Sequence, residues 1–158
     1  MLSHLKRMEA KMLDSPTNLQ SILSDPSLLQ TKAFINNEWV NSENGSTFDV
    51  INPARGDVIA KVADLSRADL ARAIDGAQTA QKKWAALSAK DRSNTLRAWF
   101  NLMMENQADL AKILTAEMGK PLAEAMGEIA YGASFVEFFA EEAKRNYGET
   151  IPGHQADK

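Results

Sequence analysis

Cysteine is absent from the 158 residues, which removes disulfides, thiolate metal ligands and thiol nucleophiles from anything this stretch of chain does by itself. Histidine is almost as scarce. His4 and His154 stand near opposite ends without metal-ligand spacing, so no zinc site is expected. No apolar run reaches the roughly 18 residues that a membrane-spanning helix needs. An excess of positive charge is missing too: 18 Lys and Arg against 21 Asp and Glu give a formal charge of -3, well mixed along the chain. Neither nucleic acid nor a membrane is therefore an expected partner. Neither G-x-G-x-x-G nor G-x-x-x-x-G-K-[ST] occurs, so no recognised phosphate-cradling loop is encoded.

What is present is an ordinary globular composition, 44% hydrophobic and 25% charged, enough to build a core without metal or disulfide. Residues 1–27 read as an N-terminal tail. Within it Leu5, Met8 and Met12 lie on one face of a weakly amphipathic stretch, with Lys6, Arg7 and Lys11 opposite. Glu9 and Asp14 count against an organelle presequence.

From Ser24-Asp25-Pro26 onward the texture changes. Two short apolar segments, 32–35 and 38–40, flank Asn36-Asn37, the pattern of a tight β-hairpin. Two more short strands, 48–51 and 57–62, follow the Asn44-Gly45 turn and are separated by a turn that includes Asn52-Pro53 and Gly56.

The remainder is helical. Ser66 three residues before Asp69 is a capping-box variant opening a helix from about 67 to 86, with Leu70, Ala73, Ile74, Ala77 and Trp84 at helical spacing. Ser88 before Asp91 opens a second helix with Leu96, Trp99, Phe100 and Met103 on one stripe. Asn106 before Asp109 opens a third, with Leu110, Ile113 and Leu114 inward, ended by Gly119 as a left-handed cap. Pro121 suits the first turn of a fourth helix, whose apolar pattern Leu122, Ala125, Ile129, Ala133, Val136, Phe139 and Ala140 is expected to continue to about Tyr147, with Gly148 closing it.

Gly127 and Gly132 inside that helix each cost about 1 kcal/mol relative to Ala, which points to close approach of another backbone, and Gly132→Leu is expected to clash. Glu141 and Glu142 read as solvated charge, and Met103, Met104 and Met118 as core filler.

Three motifs in register go further. Phe34-Ile35-Asn36-Asn37-Glu38-Trp39, Asn52-Pro53-Ala54-Arg55-Gly56-Asp57 and Glu117-Met118-Gly119-Lys120-Pro121-Leu122 resemble the amino-terminal part of the aldehyde dehydrogenase family. The stretches 99–107 and 147–158 most resemble its succinate-semialdehyde dehydrogenase branch. The resemblance implies an α/β parent with a Rossmann-type cofactor domain, of which this piece is a helix-rich α+β portion: short β-hairpins followed by about four helices. On that reading residues 28–158 are the incomplete N-terminal part of the cofactor-binding domain.

The resemblance also implies the chemistry of the parent: NAD or NADP as oxidant, a cysteine nucleophile, a glutamate base, and oxidation of succinic semialdehyde to succinate. The residues that carry those roles in the family lie beyond this stretch, so no catalytic or cofactor-binding residue is assigned here and no bound cofactor is expected for the 158 residues alone. One site is implied: a structural monovalent cation held by the backbone carbonyls of Val50 and Ile51 and the carboxylate of Glu117, oxygen ligands of the kind hard cations take. The alternative for Glu117 is a helix-end carboxylate facing solvent or Lys120. Partners implied are the remainder of the parent chain, or full-length subunits of a homodimer or homotetramer, with a cytoplasmic location and a mitochondrial one as the alternative. A second functional reading is a non-catalytic module that docks on full-length dehydrogenase subunits.

Overall fold

The structure of the protein, a computed structural model, describes residues 18–156. The amphipathic reading of the residues before Asn18 lies outside them.

The described chain begins as a strap. Helix α1 (Leu19–Ile22) and a 3-10 turn (Pro26–Leu28) bury Leu19 and Leu23. Helix α4 (Gln107–Met118) pins this strap with side chains: the Asp25 backbone N–H donates to Asp109 Oδ2 at 2.8 Å and Lys112 Nζ donates to the Ile22 carbonyl at 2.8 Å. Residues 18–27, read from sequence as part of a tail, thus make contacts across more than 80 positions of sequence.

Strands β1 (Ala33–Ile35) and β2 (Glu38–Val40) pair antiparallel, with Phe34 opposite Trp39 and their rings 5.0 Å apart. Asn36 and Asn37 both hold positive φ, 53° and 68°, the conformation a two-residue hairpin needs to match strand twist, and one that Asn tolerates. Strands β3 (Thr47–Ile51) and β4 (Val58–Ala63) form a second antiparallel pair. Its register slips between Val50, opposite Ala60, and Ile51, opposite Val58, so Ile59 is the extra residue of a bulge.

Helix α2 (Arg67–Ala86) starts at the Ser66 capping box. Its carboxylate, Asp69, is completely buried. The Ser66 N–H (2.9 Å) and hydroxyl (2.8 Å) donate to Asp69 Oδ2, and Arg72 donates to Oδ1. Those Ser66 bonds hold the Asp69 pKa down at about 2. Helix α3 (Ala89–Glu105) is capped by Ser88, whose hydroxyl accepts the Asp91 N–H at 3.1 Å. Helix α5 (Leu122–Glu142) packs against α3 and α4. Ala111 of α4 and Ala125, Ala133 and Ala140 of α5 are fully buried, so the helices meet through small side chains. Arg97 of α3 bridges Glu137 (2.6 Å) and Glu141 (2.9 Å) of α5.

Several expectations are corrected. Helix α5 ends at Glu142, not near Tyr147. The Lys144 and Arg145 N–H groups bond three residues back and Tyr147 only two, and Lys144-Arg145-Asn146 offers no apolar face to bury. Gly148 therefore caps nothing. Asn106 starts α4 without a side-chain cap; its Nδ2 instead donates to the Leu102 carbonyl at 2.9 Å. Leu70, Ile74, Trp99, Met118, Leu122 and Phe139 are largely exposed rather than inward. A Cβ placed at Gly127 or Gly132 meets nothing within 4 Å, so no backbone of the described chain approaches there and Gly132→Leu finds no clash. Glu141 is part of the α3–α5 bridge and also pairs with Lys144 at 2.8 Å, not a freely solvated charge.

Candidate functional site

The three residues expected at a cation site belong to two elements, β3 and α4, whose following segments approach each other at Pro53 and Gly119. Val50 and Ile51 straddle the register slip at the end of β3. Immediately after them, Asn52 builds a closed turn: its Oδ1 accepts the Ala54 N–H (2.9 Å), its carbonyl accepts the Gly56 N–H (2.8 Å), and its own N–H donates to the Asp57 carbonyl (2.9 Å). Arg55 and Asp57 close the turn through two hydrogen bonds of 2.9 and 2.6 Å. The bonded pair raises the Arg55 pKa and lowers that of Asp57.

Glu117 is exposed in the last turn of α4. Two residues on, Gly119 takes the left-handed conformation at φ 77°, and a Cβ there would lie 3.2 Å from Pro53 Cγ. The end of α4 thus abuts the turn that follows β3. The alternative partner for Glu117 is engaged elsewhere, since Lys120 pairs with Glu128 of α5. Among the described residues no group of three His, Cys, Asp or Glu gathers as a metal cluster.

Beside this junction opens a cavity of about 560 Å³ between α1, the 52–57 turn and the α4–α5 connection. Leu19, Ile22, Ile59, Ala116 and Leu122 supply apolar wall, and Thr115 also lines it. The buried Thr115 Oγ1 has no hydrogen-bond partner among the described residues. Nothing in the sequence marked this cavity, because its walls come from four separate elements. A second, shallower groove runs along the outer face of α5, lined by Tyr131, Ser134, Phe135, Glu137, Phe138 and Phe139. The sequence did not mark this groove either: helical spacing puts Phe139 in one row with Ala125, Ala133 and Ala140, yet Phe139 is exposed and the alanines are buried.

The geometry describes a supporting layer of small packed helices and hairpins with a bare aromatic face. Residues 39–158 match the aldehyde dehydrogenase family. The chain is 58% identical over 136 residues to the glutarate-semialdehyde dehydrogenase of Pseudomonas putida and 56% identical over 136 residues to the NADP(+) succinate-semialdehyde dehydrogenase of Escherichia coli. In both cases the match covers 86% of this chain and 28% of the relative. Among solved structures, an Escherichia coli NADP-dependent enzyme superposes with a TM-score of 0.83 at 56% identity, over 85% of this chain and 28% of that one. The chain belongs to the aldehyde dehydrogenase family and has the fold of its N-terminal portion. It spans little more than a quarter of the length of these relatives.

Proposed function

We propose that this chain is the N-terminal supporting portion of an NAD(P)-dependent semialdehyde dehydrogenase that oxidises succinic semialdehyde, or its one-carbon-longer homologue, to the dicarboxylate. The observation that carries this reading is the 58% and 56% identity to two semialdehyde dehydrogenases. On this reading residues 28–158 begin the cofactor-binding domain and residues 1–27 precede it, of which 18–27 form the strap anchored through Leu19 and Leu23. The parent uses NAD or NADP, works as a homodimer or homotetramer, and resides in the cytoplasm.

These 158 residues supply no thiol for attack on an aldehyde carbonyl and no recognised dinucleotide loop, so no chemical step is assigned to them. Their work is to hold elements of the larger domain in place. A non-catalytic module docking on complete subunits meets an obstacle: a complete subunit already carries its own copy of this portion.

The cation site at Val50, Ile51 and Glu117 is retained as part of the proposal. The register slip at Val50 and Ile51 and the approach of Gly119 to Pro53 support it. Three oxygens are about half the set a hard cation takes, so the remaining donors come from water or from elsewhere in the parent. In melting experiments, sodium or potassium should stabilise the protein more than lithium, and Glu117→Gln should erase that difference; a difference unchanged in the variant removes the site.

The functional reading is tested by expressing the complete reading frame that contains this chain and following nicotinamide reduction. Succinic and glutaric semialdehydes should outpace uncharged aldehydes of similar length. Equal rates with uncharged aldehydes would contradict it.

A further inference from the structure

Asn44-Gly45 reads from sequence as a turn, and Asn44 is the only asparagine in the chain followed directly by glycine. Such a pair is chemically unstable, because a glycine nitrogen, unhindered by a side chain, can reach the asparagine side-chain carbon. The Gly45 nitrogen attacks Asn44 Cγ, the Cγ–Nδ2 bond breaks, and ammonia leaves with the Gly45 amide proton, giving a five-membered succinimide. Water then opens the ring. Breaking the bond from the nitrogen to Cγ gives aspartate. Breaking the bond from the nitrogen to the Asn44 main-chain carbonyl carbon gives isoaspartate, whose backbone runs through Cγ and is one atom longer. One water is consumed and one ammonia released, with no oxidant or reductant.

The structure holds this turn closed. Residues 42–45 form a β-turn: the Gly45 N–H donates to the Ser42 carbonyl at 2.9 Å, and Gly45 sits at φ 73°, a conformation that glycine takes without strain. Asn44 Oδ1 accepts the Ser42 hydroxyl at 2.7 Å and the Ser46 N–H at 2.9 Å. Attack needs the Gly45 nitrogen to shed the proton that it donates to Ser42, and closing the ring draws Oδ1 away from both of its donors. The reaction therefore runs from an opened turn, at a rate set by how often the turn opens.

Opening has consequences beyond the turn, because the turn is fastened to the start of α2. Ser42 is buried, and its hydroxyl lies 3.5 Å from Asp69 Oδ2. The Glu43 backbone N–H adds to the bonds that keep Asp69 ionised. On the far side, the Ser46 carbonyl accepts the Asp64 N–H at 2.9 Å. An isoaspartate at 44 lengthens the stretch between these anchors, so the Ser42 and Ser46 bonds no longer fit together. We propose that Asn44 is a covalent modification site: it loses ammonia when the 42–46 turn opens, and the isoaspartate formed keeps the turn from closing again on the N-terminal end of α2. The chain thereby keeps an irreversible record of its own openings.

The test incubates the 158-residue chain at mildly alkaline pH, folded or in guanidinium chloride, and follows the tryptic peptide 33–55 by fragmentation mass spectrometry. In denaturant Asn44 should react faster than Asn36, Asn37, Asn41 or Asn52, and Gly45→Ala should slow it at least tenfold. In the folded chain Asn44 should react at least tenfold more slowly than in denaturant. Ser42→Ala, which removes one donor to Oδ1, should raise that folded rate at least threefold; if this variant fails to fold, the wild-type comparison carries the test. The isoaspartate form, separated by its added negative charge, should exchange the Leu70 N–H, which donates to the Ser66 carbonyl at 3.1 Å, at least tenfold faster than the unmodified chain. Equal rates folded and in denaturant overturn the proposal, as does a folded Ser42→Ala chain that reacts no faster. A modified chain whose Leu70 N–H exchanges as slowly as before overturns it too.

Discussion

Asp69 at the start of α2 and Phe139 near the end of α5 sit in environments normally given to the other kind of residue: the carboxylate is wholly buried and the ring is more than half exposed. The difference lies in how far away each one's partners are. The bonds that hold Asp69 come largely from Ser66 and Arg72, within three positions of sequence, so a short piece of chain supplies most of what the charge needs, and Ser42, 27 positions away, adds a longer contact at 3.5 Å. Asp109 repeats the pattern with Lys112 three positions on and adds the Asp25 N–H from the strap. Aromatic surface has no such short-range remedy. It is covered only by bulk, and among the described residues nothing supplies that bulk to Phe139.

The polar side of this comparison breaks most severely at Asp69. Asp69→Ala removes the capping box and leaves the Ser66 donors without their acceptor; it should lower the melting midpoint by about twice the shift of an ordinary cap deletion or more. The same carboxylate predicts a pH dependence. Its folded pKa, about 2, lies below the ordinary 3.8, so its stabilisation is present above about pH 4 and is lost as pH falls towards 2. Asp109 is shifted in the same direction by Lys112 and the Asp25 N–H. Melting midpoints measured from pH 5 to pH 2 should fall steeply in the wild-type protein and less steeply in Asp69→Asn. Next in size is Gly119→Val, which forces a side chain into the left-handed region and against Pro53; it should cost about 2 kcal/mol in denaturant unfolding.

Ser88→Ala, the plain cap deletion, should cost about 1 kcal/mol. At the apolar end of the comparison the sign reverses. Gly132→Leu, which the sequence reading marks as a clash, meets open space and replaces a poor helix former; it should be neutral or stabilising by up to about 1 kcal/mol in the isolated chain. A clear loss of stability there would mean that something already covers that side of α5.

The parts of the fold legible in sequence are those fixed by near neighbours. The Asn36-Asn37 hairpin, the Ser66 and Ser88 caps and the Gly119 left-handed residue each follow from a backbone conformation or hydrogen bond that a few adjacent residues dictate. The burial of α2, α3 and α5 was misjudged at Leu70, Trp99 and Gly132, because helical periodicity tells which residues share a face and not whether anything faces them. The candidate cation residues came from a family resemblance. The approach of Gly119 to Pro53 and the cavity around Thr115 came from neither, since both depend on how distant elements meet.

The central claim is that this portion holds a dehydrogenase together and performs none of its chemistry. It is tested most directly by adding succinic semialdehyde with NAD+ or NADP+ to the purified 158-residue chain and following absorbance of the reduced nicotinamide. The account predicts a rate indistinguishable from buffer at any chain concentration. A rate that rises in proportion to chain, free of any full-length enzyme, would contradict it.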